Sequence, residues 1–243
     1  MEDDVIKKAE VLVEAYPYIK EYRDKVFVIK CGGSIFRIPS AKESILRDIA
    51  FLEAVGIKTI LVCGGGPFIT EEIEKRWKKP VFIEGLRVTD ADTLDIVKTV
   101  LFGVRDDIVE YFKGMLNVPA ASLLPEERFV TARKIHYQKG EEVIDLGFVG
   151  QVGSVNTKYI NSRLDKEHVL VMAPILPGDN GNLYNVNGDS VSAGIAESMQ
   201  AEKLIFITDV LGVMRNPQNP DTLISVLRVT EAEELLEDKV IKG

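Results

Sequence analysis

The chain has 243 residues, 46% of them hydrophobic and 28% charged, with a formal net charge of −8. That is enough chain to bury a sizeable core, as one large α/β domain or two small ones. The acidic balance argues against non-specific nucleic-acid or membrane-surface binding, and no run of about 18 apolar residues offers a membrane span.

Met1 to Lys8 is charged and no apolar stretch follows it as in a secretory signal, so a cytoplasmic location is expected. Val5, Ala9, Leu12, Ala15, Tyr16 and Ile19 recur at helical spacing and predict a helix over residues 4–22. Val26, Phe27, Val28 and Ile29 then form a β-rich run that Gly32 and Gly33 end, which predicts a buried strand. Residues 40–55 read as a helix with Ile45, Leu46, Ile49, Phe51 and Leu52 as its apolar stripe. A second buried strand spans 59–63, stopped by Gly64-Gly65-Gly66-Pro67, and residues 69–76 are helical.

This β-α-β-α order, with apolar strands and glycines at their exits, predicts a parallel sheet covered by helices on both faces. Residues 89–112 extend the helical set, with Thr89 and Asp92 spaced as a capping box. Residues 129–153 are punctuated by glycine and predict an inserted antiparallel patch. A strand follows at 168–173, a turn at 178–182, a helix at 189–199 opening on Asp189, and a central strand at 204–208. A capping box at Thr230 and Glu233 starts the last helix. Without a flexible linker or repeat, one α/β/α unit is expected. The two cysteines, Cys31 and Cys63, sit in apolar runs and read as small buried thiols.

Several segments could carry chemistry. Lys30-Cys31-Gly32-Gly33-Ser34 leaves a strand where open α/β sheets bind ligands, with glycines that admit an anion to backbone N–H groups and a lysine as point charge. Gly64-Gly65-Gly66-Pro67 precedes a helix and makes a second anion nest, or simply a tight turn. Both loops would face one crevice, which favours phosphoryl chemistry, although the P-loop and G-x-G-x-x-G signatures are absent. Arg87 stands before a helix start, placed to grip a carboxylate. Asn185, Asn187 and Asp189 alternate toward one side, with Asp189 also readable as a helix N-cap. Thr208-Asp209 and the glycine loop after them could hold polar groups of a nucleotide or form an ordinary turn. His136 and His168 lack metal-ligand spacing, and no protein metal site is expected.

Taken in order, Ile29-Lys30-Cys31-Gly32-Gly33-Ser34, Val62-Cys63-Gly64-Gly65-Gly66-Pro67, Gly85-Leu86-Arg87-Val88-Thr89-Asp90, Asp145-Leu146-Gly147-Phe148-Val149-Gly150, Tyr184-Asn185-Val186-Asn187-Gly188-Asp189 and Thr208-Asp209-Val210-Leu211-Gly212-Val213 closely resemble N-acetylglutamate kinases, members of the amino acid kinase family. The resemblance runs from about Tyr16 to the last residue. It implies a three-layer α/β/α sandwich with an open, mainly parallel sheet. It implies ATP-dependent phosphorylation of the γ-carboxylate of N-acetyl-L-glutamate in arginine biosynthesis, with Mg²⁺ carried in on ATP. By motif position, Lys30 stabilises the transferring phosphoryl group and Asp189 orients lysine. Gly65, Gly66, Arg87 and Asn185 hold the substrate, Arg87 on its α-carboxylate. Gly32, Gly33, Asp209, Val210, Leu211, Gly212, Val213 and Met214 serve the nucleotide. Residues 1–24 resemble the extra helix through which arginine-inhibited members form hexamers from dimers, which implies a homodimer or hexamer and an arginine effector.

The resemblance also has departures. The family's Gly-Met-Ile-Pro-Lys-like segment, with a second phosphate-binding lysine, is not reached before Gly243, so the kinase domain reads as incomplete at its C-terminal end. A missing lysine of that kind removes roughly 10²–10³-fold of transition-state stabilisation, and weak or no kinase activity is expected of this stretch alone. Ser122 to Glu127 stands where a Ser-Gly-Lys-Asp-Gly-like segment is usual, Cys63 replaces a His, and Gly188 replaces an Ala. Two alternatives therefore stay open: the non-catalytic, arginine-sensing domain of an N-acetylglutamate synthase, and a kinase for an aminoadipate derivative.

Overall fold

Alternate residues of the apolar strands go to opposite faces of one sheet, and that sorting builds two separate cores. Ile29, Leu61 and Val171 face one way, while Val28, Ile60 and Leu170 face the other. The computed structural model describes residues 2–238 and Val240. In chain order its elements are α1 (Glu2–Tyr22), β1 (Val26–Cys31), α2 (Pro39–Ala54), β2 (Lys58–Cys63), α3 (Gly66–Lys75), β3 (Phe82–Ile83), β4 (Leu86–Arg87), α4 (Ala91–Met115), β5 (Ala120–Leu123), β6 (Val130–Lys139), β7 (Glu142–Val155), α5 (Thr157–Glu167), β8 (Val169–Met172), β9 (Ile175–Pro177), β10 (Leu183–Val186), α6 (Gly188–Met199), β11 (Lys203–Ile207) and α7 (Val229–Glu237).

The chain forms two compact units, Met1–Ile207 and Thr208–Gly243. The first holds a five-stranded parallel sheet in the order β11-β1-β2-β8-β5. One face is covered by α2, α3 and α4 through Leu46, Ile49, Ile73, Leu101 and Phe112. The other is covered by α5 and α6 through Ile160, Leu164, Val191 and Ile195. This is the expected α/β/α sandwich. Each fully buried aliphatic side chain in these layers contributes about 1.5–3 kcal/mol, so the layers hold without disulfides. Cys31 and Cys63 are both buried and unpaired.

A second sheet, β6-β7-β10-β9, packs onto the α5–α6 side through Val130, Ala132, Leu176 and Tyr184. The patch expected at 129–153 is indeed an antiparallel hairpin, β6 with β7, but β10 joins β7 in parallel and makes the sheet mixed. The elements β3, β4, β5, α5, β9 and β10 have no counterpart in the sequence reading. The strand expected to be central, β11, lies at the edge of the described sheet, with Phe206 46% exposed. The small second unit contains α7 and a turn region in which Met214 bridges to Leu223.

Three helix caps differ from the expected ones. The α4 cap is Asp90, whose side chain accepts from Thr93 N, because the Thr89 hydroxyl is already spent on Arg87 O. The α6 cap is Asn187, accepting from Asp189 N and Ser190 N, which frees the Asp189 carboxylate. In α7 the glutamate that reaches back is Glu231, accepting from Arg228 N, rather than Glu233.

Gly147 ties the hairpin to the segment before α4. Thr89 N donates to Leu146 O at 2.9 Å and Phe148 N donates to Thr89 O at 2.7 Å. Gly147 has φ +77, and a Cβ there would stand 2.2 Å from Thr89 O. Gly147→Ala therefore combines a left-handed backbone with a backbone clash, and is expected to cost about 2–4 kcal/mol in chemical denaturation. A cost below about 0.5 kcal/mol would mean that β7 and residue 89 are not held together.

Candidate active site

Strands β1 and β2 are parallel neighbours and end at the same level, Cys31 opposite Cys63. The loops after them must therefore emerge side by side. They are in backbone contact: a Cβ on Gly33 would lie 2.7 Å from Gly65 Cα, and one on Gly65 would lie 2.6 Å from Leu101 Cδ2. Glycine is required at Gly33, where the opposing atoms are backbone, and a side chain at Gly65 would have to displace Leu101 of α4. Gly65 caps α3, so the helix begins at Gly66, three residues earlier than the sequence suggested. Its first N–H groups have no partner within the helix and carry the positive end of its dipole. A cavity of about 300 Å³ opens at this point, lined by Lys30, Gly33, Gly65 and Gly66, by Arg87, and by Asn185 and Asp189.

Lys30, near the end of β1, is held by Asp189 from the first turn of α6, with Nζ 2.9 Å from Oδ1. The lysine is mostly buried, whereas Asp189 is half exposed. The pair sets the direction of the ammonium group without closing it off. A methyl group at Gly188 would touch Lys30 Cε at an ordinary 3.7 Å, so the missing alanine changes no geometry.

Arg87 is only 8% exposed and has no carboxylate partner among the described residues. Its Nη2 donates to Thr70 Oγ1 at 2.9 Å and to Gly66 O at 3.3 Å, and the Phe82 ring covers it with 4.5 Å from Cζ to the centroid. Nη1 is buried with no partner. Burial lowers the Arg87 pKa, the direction expected for a cation stripped of water without a compensating charge. Asn185 joins the same cluster, its Nδ2 donating to Thr89 Oγ1, which donates in turn to Arg87 O. An unpaired buried cation costs several kcal/mol and is kept where an anion completes it.

The sequence-predicted residues Lys30, Gly33, Gly65, Gly66, Arg87, Asn185 and Asp189 thus meet in one cavity. Gly32 does not line it, because its N–H is taken by Ile207 O. Asp209 to Met214 belong to the second unit, where Val210 and Leu211 are exposed and Gly212 has φ +143. Thr70, Phe82 and Thr89 were missed as site residues, and Asn187, to which the alternation with Asn185 and Asp189 points, lines the cavity as the α6 cap. Arg87 and Thr89 sit in one motif, but only the fold reveals that Thr70 and Phe82 reach that arginine.

Of the departures, Gly188 lines the cavity, whereas Cys63 and residues 122–127 lie outside it. Cys63 points into the core under α4, its thiol donating to Met172 O, and burial pushes its pKa up to about 12. Burial does the same to Cys31, also to about 12, so neither is a nucleophile at neutral pH. In place of a glycine loop, residues 122–127 end β5 and form a turn anchored by Glu127, whose carboxylate accepts from Leu124 N, Tyr159 OH and Arg163 Nη1.

The model of the amino acid kinase family matches residues 25–243. The chain belongs to the amino acid kinase family. It is 41% identical to an acetylglutamate kinase of Methanocaldococcus jannaschii, over 99% of this chain and 82% of that one. It is likewise 41% identical to an acetylglutamate kinase of Archaeoglobus fulgidus, over 98% of this chain and 84% of that one. Among solved structures, an N-acetylglutamate synthase of Neisseria gonorrhoeae complexed with coenzyme A and L-arginine superposes with TM-score 0.80 at 28% identity, covering 92% of this chain and 52% of that one. A Giardia carbamate kinase shares the fold at TM-score 0.55 and 14% identity, over 89% of this chain and 83% of that one.

In this amino acid kinase, removing the uncompensated charge should cost little stability and abolish the anion site. Arg87→Met is expected to keep or raise Tm. A fall of more than about 4 °C, roughly 1 kcal/mol for a chain of this size, would mean that Arg87 serves the fold instead.

Proposed function

We infer that this chain is an ATP-dependent kinase acting on the γ-carboxylate of N-acetyl-L-glutamate, a step of arginine biosynthesis. The observation that carries the reading is the pairing, in one cavity, of a buried guanidinium lacking a counter-ion with a lysine at the glycine loops. The first suits a fixed carboxylate and the second a phosphoryl group. The two kinases compared above are each 41% identical and matched over most of their length, whereas the synthase is 28% identical and matched over half, which favours the kinase over an arginine sensor.

In this reading a γ-carboxylate oxygen of the substrate attacks the γ-phosphorus of ATP, the bond to the β-phosphate oxygen breaks, and an acyl phosphate and ADP result. No protein nucleophile is needed, so positioning and charge neutralisation do the chemistry. Lys30, aimed by Asp189, lies over the equatorial oxygens as their charge grows. The N–H groups of Gly33, Gly65 and Gly66 take oxygens of the phosphates and of the substrate. Arg87 takes the α-carboxylate and Asn185 a polar group of the acylated amino acid. Mg²⁺ would come with the ATP phosphates and neutralise part of their charge. Gly32 and Asp209 to Met214 are assigned to the nucleotide on motif position alone.

Assembly as a homodimer or hexamer, an arginine effector and a cytoplasmic location belong to the same proposal. Assembly is supported by α1, which leaves Val11, Leu12, Val13, Tyr16 and Tyr18 exposed, and light scattering on the native protein with and without arginine is its test. No described helix is long and apolar enough to cross a membrane.

Acyl-phosphate formation, trapped with hydroxylamine in the native full-length protein, tests the reaction. Lys30→Ala is expected to lower kcat by roughly 10²–10³-fold while N-acetylglutamate affinity changes little, the pattern of a group acting in the transition state. Equal rates in both proteins would remove Lys30 from the mechanism, and no product from the wild type would remove the reaction.

A further inference from the structure

We propose that Thr70 is a positioning residue for substrate recognition: its hydroxyl fixes the Arg87 guanidinium so that Nη1 meets the α-carboxylate of the acylated amino acid. The proposal rests on the kinase reading above and adds a residue to it. Thr70 lies one turn after Gly66 on α3, so Gly66 O and the Thr70 hydroxyl are stacked along one edge of the helix. Arg87 Nη2 donates to both, at 3.3 and 2.9 Å. A guanidinium NH₂ group carries two hydrogens, so both are engaged. The Phe82 ring closes the third direction by covering the guanidinium face. Two in-plane anchors and one face contact leave the group no freedom to roll. The nitrogen left over, Nη1, is the buried donor without a partner.

Thr70 has no evident structural reason to be threonine. β-Branched Thr is a weaker helix former than Ala, and a hydroxyl inside a helix commonly returns to the helix's own carbonyls. Here the recorded partner of the hydroxyl is a side chain from another element, 17 residues away. Without that hydroxyl, Nη2 keeps only the longer bond to Gly66 O, and the guanidinium plane can swing about it. The consequence falls on the substrate group that Nη1 receives and not on the phosphoryl end at Lys30.

The test is titration calorimetry of wild type, Thr70→Val and Thr70→Ser with N-acetyl-L-glutamate and with 4-acetamidobutanoate, which lacks the α-carboxylate. Thr70→Val keeps the shape and removes the hydroxyl. It is expected to lose about tenfold in N-acetylglutamate affinity, in the range for a hydrogen bond to a charged group, and to lose the same factor in preference over 4-acetamidobutanoate. Thr70→Ser restores the hydroxyl and should bind within about threefold of wild type. The proposal is overturned if Thr70→Val stays within about twofold of wild type, if it weakens both ligands equally, or if Ser fails to rescue. Should Thr70→Val not fold, Thr70→Ala is read by the same criteria, and failure of both to fold would make Thr70 structural and overturn the proposal. Absence of N-acetylglutamate binding by the wild type would instead sink the kinase reading itself.

Discussion

The cavity is organised around a cation that has no counter-ion among the described residues. Arg87 is taken out of water by α3, β3 and β4, and its desolvation is offset only by a threonine hydroxyl, a carbonyl and an aromatic face. A neutral side chain of similar volume would pack there at lower cost. The arrangement makes sense when a carboxylate arrives and finds the donor already oriented, because the ordering and desolvation have been met during folding. Backbone crowds Gly33 and Gly147 in the same region, where any side chain would push apart segments that touch.

The second charged group behaves differently. Lys30 already has a partner in Asp189, and half of that partner is exposed. It is therefore aimed rather than starved of charge. In the proposed reading, one end of the cavity binds a fixed anion and the other follows a moving one. That division suits a reaction in which one carboxylate is held and another is phosphorylated, and under the proposal specificity and catalysis fall on different strands, β4 and β1.

Much of this was legible in the sequence because it depends on local rules. Apolar runs ending in glycine predicted β1 and β2, a further apolar run predicted β8, and the β-α-β-α order predicted the parallel sheet and the shared crevice. Lys30, Arg87, Asn185 and Asp189 stood out because each lies at an element boundary in a motif. The misses have physical causes. β5 is only Ala120 to Leu123 and has little β propensity, and α5 is polar overall, with Ile160 and Leu164 as its only fully buried anchors. Capping was misread wherever a neighbouring side chain was diverted: Thr89 serves Arg87, so Asp90 caps α4, and Asn187 caps α6 so that Asp189 can reach Lys30. Thr70 and Phe82 carry no sequence signal, since their role depends on which residue the fold brings beside them.

The most direct measurement of the central claim is the thermal shift of the wild-type protein with N-acetyl-L-glutamate and with its α-carboxamide, which has nearly the same shape but no charge at that position. A ligand at about 100 times its Kd stabilises the folded state by about 2.7 kcal/mol. The account predicts a Tm rise of several degrees with N-acetylglutamate and little or none with the amide at equal concentration. Equal shifts with both would show that Arg87 does not receive the α-carboxylate, and the reading of the cavity built on that unpaired cation would fall.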